Sequence, residues 1–232
     1  MAKKLLLLLL LATLSAYSQR IKQYDLFSYN IEQNMKTYAQ KADLAYEFSD
    51  FERGEFLFDS LVKNVVNRSF MDNFKAKKLS GREIEFYDFK KPMFLMTYAS
   101  WCTPGSGEIP ALNEMAETYH KELDIVILFW NSKKQAKSVA SQYSSKITLL
   151  YIDEVENKSC HAISTLKHSL GFPTSFFIKA NKQIVDVRRG VLHPYNEKYA
   201  ISYELNHDAF LNGISLILAK TSEEPAILIG QN

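Results

Sequence analysis

The chain has only two cysteines in 232 residues, and only eight glycines. Two cysteines are too few for a disulfide-dense scaffold or a four-cysteine zinc site. No glycine-rich loop of the phosphate-binding kind is present. A formal net charge of +2 is too small for a general binder of nucleic acid or other polyanions. No apolar run reaches the roughly 20 residues that a membrane-spanning helix needs. What the chain does have is apolar content, at 47% of residues. That excludes a disordered polymer. The length suits one large domain, or an ordinary domain with an extension.

Residues 1–18 read as a secretory leader, with an uncleaved membrane anchor as the alternative. Lys3 and Lys4 precede an unbroken apolar run from Leu5 to Ala12, and Ala16-Tyr17-Ser18 places small residues where a signal peptidase reads. Cleavage is expected before Gln19. The leader carries two lysines and no acid, so the remaining chain holds 26 basic and 26 acidic residues and is neutral. Export to the cell envelope or periplasm would place both cysteines where disulfides persist. No stable membrane span is expected after cleavage.

Residues 19–69 read as a helical N-terminal extension. Phe27, Ile31, Met35, Tyr38 and Ala42 recur at helical spacing, and Phe58, Leu61, Val62, Val65 and Val66 form a second stripe. Ser49-Asp50 is a candidate cap for the second helix. The expectation is that this extension packs against the main domain. From about residue 70 to 220, strands alternate with helices. Glu83–Phe89, Phe94–Tyr98, Asp124–Trp130, Ile147–Ile152, Ser175–Ile178 and Ile184–Val187 read as strands. Helical faces lie at Ile109–Tyr119, Ala136–Tyr143, Ile163–Leu170 and Phe210–Leu218. The pattern predicts an α/β fold, with a sheet flanked by helices. Residues 221–232 read as a tail.

The most informative stretch is Ala99-Ser100-Trp101-Cys102-Thr103-Pro104-Gly105, between a buried strand and an amphipathic helix. The spacing predicts Cys102 at a helix N-terminus, where the dipole lowers a thiol pKa. Pro104 then falls in the first helical turn.

These residues resemble the active site of the thioredoxin superfamily. The string from Ala99 to Pro104, followed by Glu108-Ile109-Pro110, is similar to the exported TlpA/ResA-like branch, whose usual pattern is A-S-W-C-x-P-C. Gly171-Phe172-Pro173-Thr174 resembles that family's second signature, a loop carrying a cis-proline. The extra helix and strand at about 132–152 and Arg188-Arg189-Gly190 also fit. The resemblance implies a thioredoxin-like fold over residues 70–220, with a central mixed sheet. It implies Cys102 as nucleophile, Glu108 as a tuning group, and Trp101, Pro104, Phe172, Pro173 and Thr174 around the substrate. Its partners would be protein or small-molecule thiols and disulfides, with no cofactor, metal or nucleic acid.

Gly105 stands where the family pattern has its second cysteine. A dithiol enzyme uses that thiol to resolve the mixed disulfide formed by the first. Three alternatives stand at this point. An external thiol resolves the complex. Cys160 resolves it, if the two Cα atoms come within about 7 Å. Otherwise turnover is lost and the domain is a binding module. The alternative to a resolving Cys160 is a buried small apolar residue. Peroxiredoxins share the fold, but their pattern puts Thr or Ser where this chain has Ala99, and proline where it has Leu95. Glu108 reads equally as a tuning carboxylate or as a solvated acid in a first helical turn. His161 and His168, beside Cys160, do not make a metal set by spacing. Lys75, Lys77 and Lys78 read as a solvated basic face. The reading is thus an exported thioredoxin-like protein performing single-cysteine thiol–disulfide exchange.

Overall fold

The computed structural model describes residues 21–99, 102–153, 161–190 and 196–219. The leader, the tail, Trp101 and Cys160 lie outside the described residues.

Two helices come first. α1 (Phe27–Glu47) buries Phe27, Ile31, Tyr38, Ala42 and Ala45 along one stripe. Its N-cap position is Leu26, which has no capping side chain, so the cap comes from elsewhere in the chain. Asp72 accepts the Ser28 backbone N–H at 2.9 Å and the Ser28 hydroxyl at 2.6 Å. A carboxylate there also meets the positive end of the helix dipole. α2 (Phe51–Leu61) is capped by Asp50, whose side chain accepts the Arg53 N–H at 3.0 Å. That cap agrees with the expectation from Ser49-Asp50.

The sheet has seven strands: β1 (Lys75–Lys78), β2 (Glu83–Glu85), β3 (Met93–Tyr98), β4 (Asp124–Phe129), β5 (Thr148–Tyr151), β6 (Thr174–Ile178) and β7 (Ile184–Arg189). Their spatial order is β2-β1-β5-β4-β3-β6-β7. β3, β4 and β5 are parallel; the other neighbouring pairs are antiparallel. The remaining helices are α3 (Glu108–Tyr119), α4 (Lys133–Val139), α5 (His161–His168) and α6 (Tyr199–Leu218). The β3-α3-β4 unit followed by the β6-β7 hairpin and α6 is the thioredoxin-like arrangement, and the mixed sheet flanked by helices agrees with the expected class.

β3 is apolar throughout except for Thr97 because it is buried on both faces. Its period-two alternation divides the core. Met93 and Leu95 join Phe27, Ile31, Phe58, Val66 and Phe176 on one side. Phe94 and Met96 join Leu112, Met115, Phe177, Phe210 and Ile214 on the other. The N-terminal helices therefore share a core with the sheet. The Phe27 ring meets Phe176 edge-on at 5.6 Å between centroids.

Lys75–Lys78, read as a solvated basic face, also forms a strand; Ala76 is buried, while exposed Lys75 reaches Glu83 at 3.0 Å. Two local expectations are corrected. The strand expected over Glu83–Phe89 stops at Glu85. There the chain enters a 3-10 turn, because Asp88 accepts the Glu85 N–H and Asn73 accepts that of Tyr87. The turn drives Phe86 into the core, stacked on Phe74. The last helix begins at Tyr199, well before Phe210.

Candidate active site

Cys102 follows β3 by four residues. The helix expected to begin there begins instead at Glu108, with Gly107 at its N-cap. Residues 102–105 are irregular, and Ser106-Gly107 forms a turn. The reason lies in packing. An added Cβ on Gly107 would stand 2.1 Å from the Tyr203 backbone nitrogen of α6, so only glycine fits, and its N–H donates to Ser202 Oγ at 3.1 Å. The close crossing of α3 and α6 fixes where α3 starts. Pro104 is accordingly outside the helix. The proline in the first turn is Pro110, where a missing N–H leaves no intrahelical bond unmade.

This corrects the electrostatics as well. Cys102 does not sit on the helix N-terminus, and its thiol is not pulled down. Half-burial pushes it up, and the Glu108 carboxylate adds to the rise, against an opposing hydrogen bond from the Ala99 backbone. Glu108 is itself only 8% exposed. Of its two readings, the solvated acid is excluded. Burial and the same carboxylate hold the hydroxyls of Tyr98 and Tyr143 well above the ordinary tyrosine range.

Cys102 opens on a cavity of about 60 Å³, lined among others by Tyr98, Pro104, Ile109, Gln142 and Tyr143. Glu108 lines a separate space of about 20 Å³ together with Pro173 and Gly190. Glu108 thus borders the proline loop, and its charge acts on the cysteine. The Phe172–Pro173 peptide is cis, as the resemblance implied. Thr174 opens β6 between Thr97 of β3 and Arg189 of β7, and its hydroxyl donates to the Gly171 carbonyl at 2.8 Å. Phe172 packs against the core, 6.4 Å from the Trp130 ring. Trp101 and Cys160 lie outside the described residues.

Tyr98 and Tyr143 escaped the sequence reading. Tyr98 reads as one more apolar member of β3. Tyr143 reads as the end of a helix face, whereas the helix stops at Val139 and a 3-10 turn delivers Tyr143 to the cysteine. The signal for both was a hydroxyl in an otherwise apolar stripe. Ala99 and Leu95 are buried, and Ala99 offers no hydroxyl to a peroxide beside Cys102. Among the described residues, no group of three His, Cys, Asp or Glu side chains could hold a metal. No described helix is long and apolar enough to cross a membrane.

The chain is similar to several known proteins. The model of the AhpC/TSA family matches residues 68–187. The chain is 23% identical over 121 residues to the thioredoxin-like protein YneN of Bacillus subtilis, covering 52% of this chain and 69% of that protein. It is 32% identical over 118 residues to the thiol-disulfide oxidoreductase ResA of Bacillus cereus, covering 49% of this chain and 64% of ResA. The match therefore spans less than two thirds of ResA. Among solved structures, it is similar to the thioredoxin domain of a thiol-disulfide oxidoreductase from Bacteroides vulgatus. There the TM-score is 0.48 and the identity 14%, over 64% of this chain and 98% of that one.

Proposed function

The chain belongs to the AhpC/TSA family, and from that premise we propose that it is an exported protein performing thiol–disulfide exchange through the single cysteine Cys102. The observation that carries the reading is that buried Glu108 lines one cavity with Pro173 and its charge acts on the Cys102 thiol. One reactive sulfur, a charge that governs its proton and a cis-proline loop then form one site.

The Cys102 thiolate attacks one sulfur of a substrate disulfide. A new S–S bond forms between them as the old one breaks, and the second substrate sulfur leaves as a thiolate that takes up a proton. An external thiol then attacks the mixed disulfide and releases Cys102; Cys160 is the internal candidate for the same step. Because the thiol pKa is raised, the thiolate is scarce at neutral pH but strongly nucleophilic once formed. Pro104, Phe172, Pro173 and Thr174 are assigned to the approach of the substrate, and the resemblance gives Trp101 the same role. The leader directs the chain to the cell envelope, where protein and small-molecule disulfides occur.

The test is turnover of a model disulfide by the reduced protein, with and without added thiol. Turnover that needs the added thiol and disappears in Cys102→Ser supports the proposal. An unreactive Cys102 overturns it in favour of a binding module that keeps the fold without the chemistry. Turnover of hydrogen peroxide in preference to disulfide would instead assign a thiol peroxidase.

A further inference from the structure

Arg189 makes more contacts than an edge-strand residue requires. It is the last residue of β7, which is the edge strand of the sheet. Its backbone lies opposite Thr174, the residue after Pro173. Its side chain turns back. Nε donates to the Leu170 carbonyl at 3.3 Å. Nη2 donates to the Tyr38 hydroxyl at 2.7 Å and Nη1 to the Tyr46 hydroxyl at 3.3 Å, both on α1. The guanidinium also lies over the Phe58 ring of α2, 4.1 Å from its centroid.

One residue therefore holds both ends of the segment Leu170–Thr174. Its side chain fixes Leu170 and its backbone register fixes Thr174. The next residue, Gly190, closes the clasp: its N–H donates to the Pro173 carbonyl at 3.2 Å, and an added Cβ would stand 3.0 Å from the Pro173 ring. The two phenols and the Phe58 ring set where the guanidinium can sit. A planar fork with donors in several directions suits this task, and an ammonium does not.

We propose that Arg189 is a positioning residue for the proline loop, and that the N-terminal helices act through it to hold that loop in its substrate-docking shape. This rests on the function proposed above for Pro173. It gives residues 27–66 a role in the site, although none of them lines the cavities at Cys102 and Pro173.

The test uses the full chain with Arg189→Met, Arg189→Lys and the milder Tyr38→Phe. Amide hydrogen exchange over residues 170–174 is expected to quicken about tenfold or more in Arg189→Met and less in Tyr38→Phe. KM for a peptide disulfide should rise about fivefold or more in Arg189→Met. The pH profile of Cys102 alkylation should stay unchanged, since Arg189 is not among the groups that shift that thiol. Arg189→Lys should restore little. A purely structural role would lower thermal stability and leave both KM and loop exchange as they were, and that result overturns the proposal. If the native protein shows no turnover at all, the function above fails. The loop exchange then still decides whether Arg189 positions the segment: a faster rate supports the clasp, and an unchanged rate overturns it. Should Arg189→Met not fold, Tyr38→Phe carries the same two readouts.

Discussion

Gly107→Ala probes the contact that sets where α3 begins. A methyl group at this position would lie 2.1 Å from the Tyr203 nitrogen, 2.3 Å from its Cα and 2.6 Å from the Ser202 carbonyl carbon. All three obstacles are backbone atoms of α6, so no side-chain rotation relieves them. Restoring ordinary contact requires the two helices to part by about 1.5 Å, which also loses the Gly107–Ser202 hydrogen bond. Overpacking of this kind costs about 3 kcal/mol. For a chain of this size that lowers Tm by about 6–12 °C. The natural control is Gly171→Ala. Nothing lies within 4 Å of an added Cβ there, and only the positive φ of 85° opposes it. That substitution should cost about 1 kcal/mol, seen as a drop of about 2–4 °C. Thermal unfolding of the three proteins measures both. A Gly107→Ala variant no less stable than Gly171→Ala would refute the crossing and the explanation of the late helix start.

Three further outcomes follow from particular groups. Glu108→Gln removes the charge that helps raise the Cys102 pKa, so the inflection of the alkylation rate should move to lower pH, and an unmoved profile would remove Glu108 from the account. Burial pushes Lys182 down to about 8, and its Nζ donates to the Phe89 carbonyl at 2.6 Å. The unfolded chain then binds more protons between pH 8 and 10.5, so stability is lost as pH falls from 10.5 to 8. Urea unfolding should show a rise toward pH 10 approaching about 3 kcal/mol, absent in Lys182→Met and cut short above pH 10 as unfolded tyrosines ionise. Asp72→Ala should cost about 2 kcal/mol in urea unfolding, because it strips the cap from α1; a change under about 0.5 kcal/mol would show that water replaces it.

Much of this molecule was legible in its sequence because the signals were local. The apolar runs at 94–98 and 124–130 are buried strands, and Asp50 caps α2 as its position suggested. The cis-proline was legible only through resemblance. What escaped reading was set by distant partners. The start of α3 depends on α6 approaching Gly107. The short β2 depends on Asn73 and Asp88 taking up backbone N–H groups. The thiol environment was misjudged for the same reason: dipole logic assumes that the helix begins at the motif, and tertiary packing moved it six residues on. The influence of Glu108 on Tyr143 required the 3-10 turn after α4, which no periodicity announces.

Single-cysteine exchange requires that Cys102 alone attack a disulfide and wait for an outside thiol. Mass analysis of the reduced full chain after brief exposure to glutathione disulfide, with the adduct mapped by peptide, reads this step. The expected product is a single glutathione on Cys102 that persists until a thiol is added and is absent in Cys102→Ser. An unmodified Cys102 beside a modified Cys160, or no adduct at any pH, would contradict it.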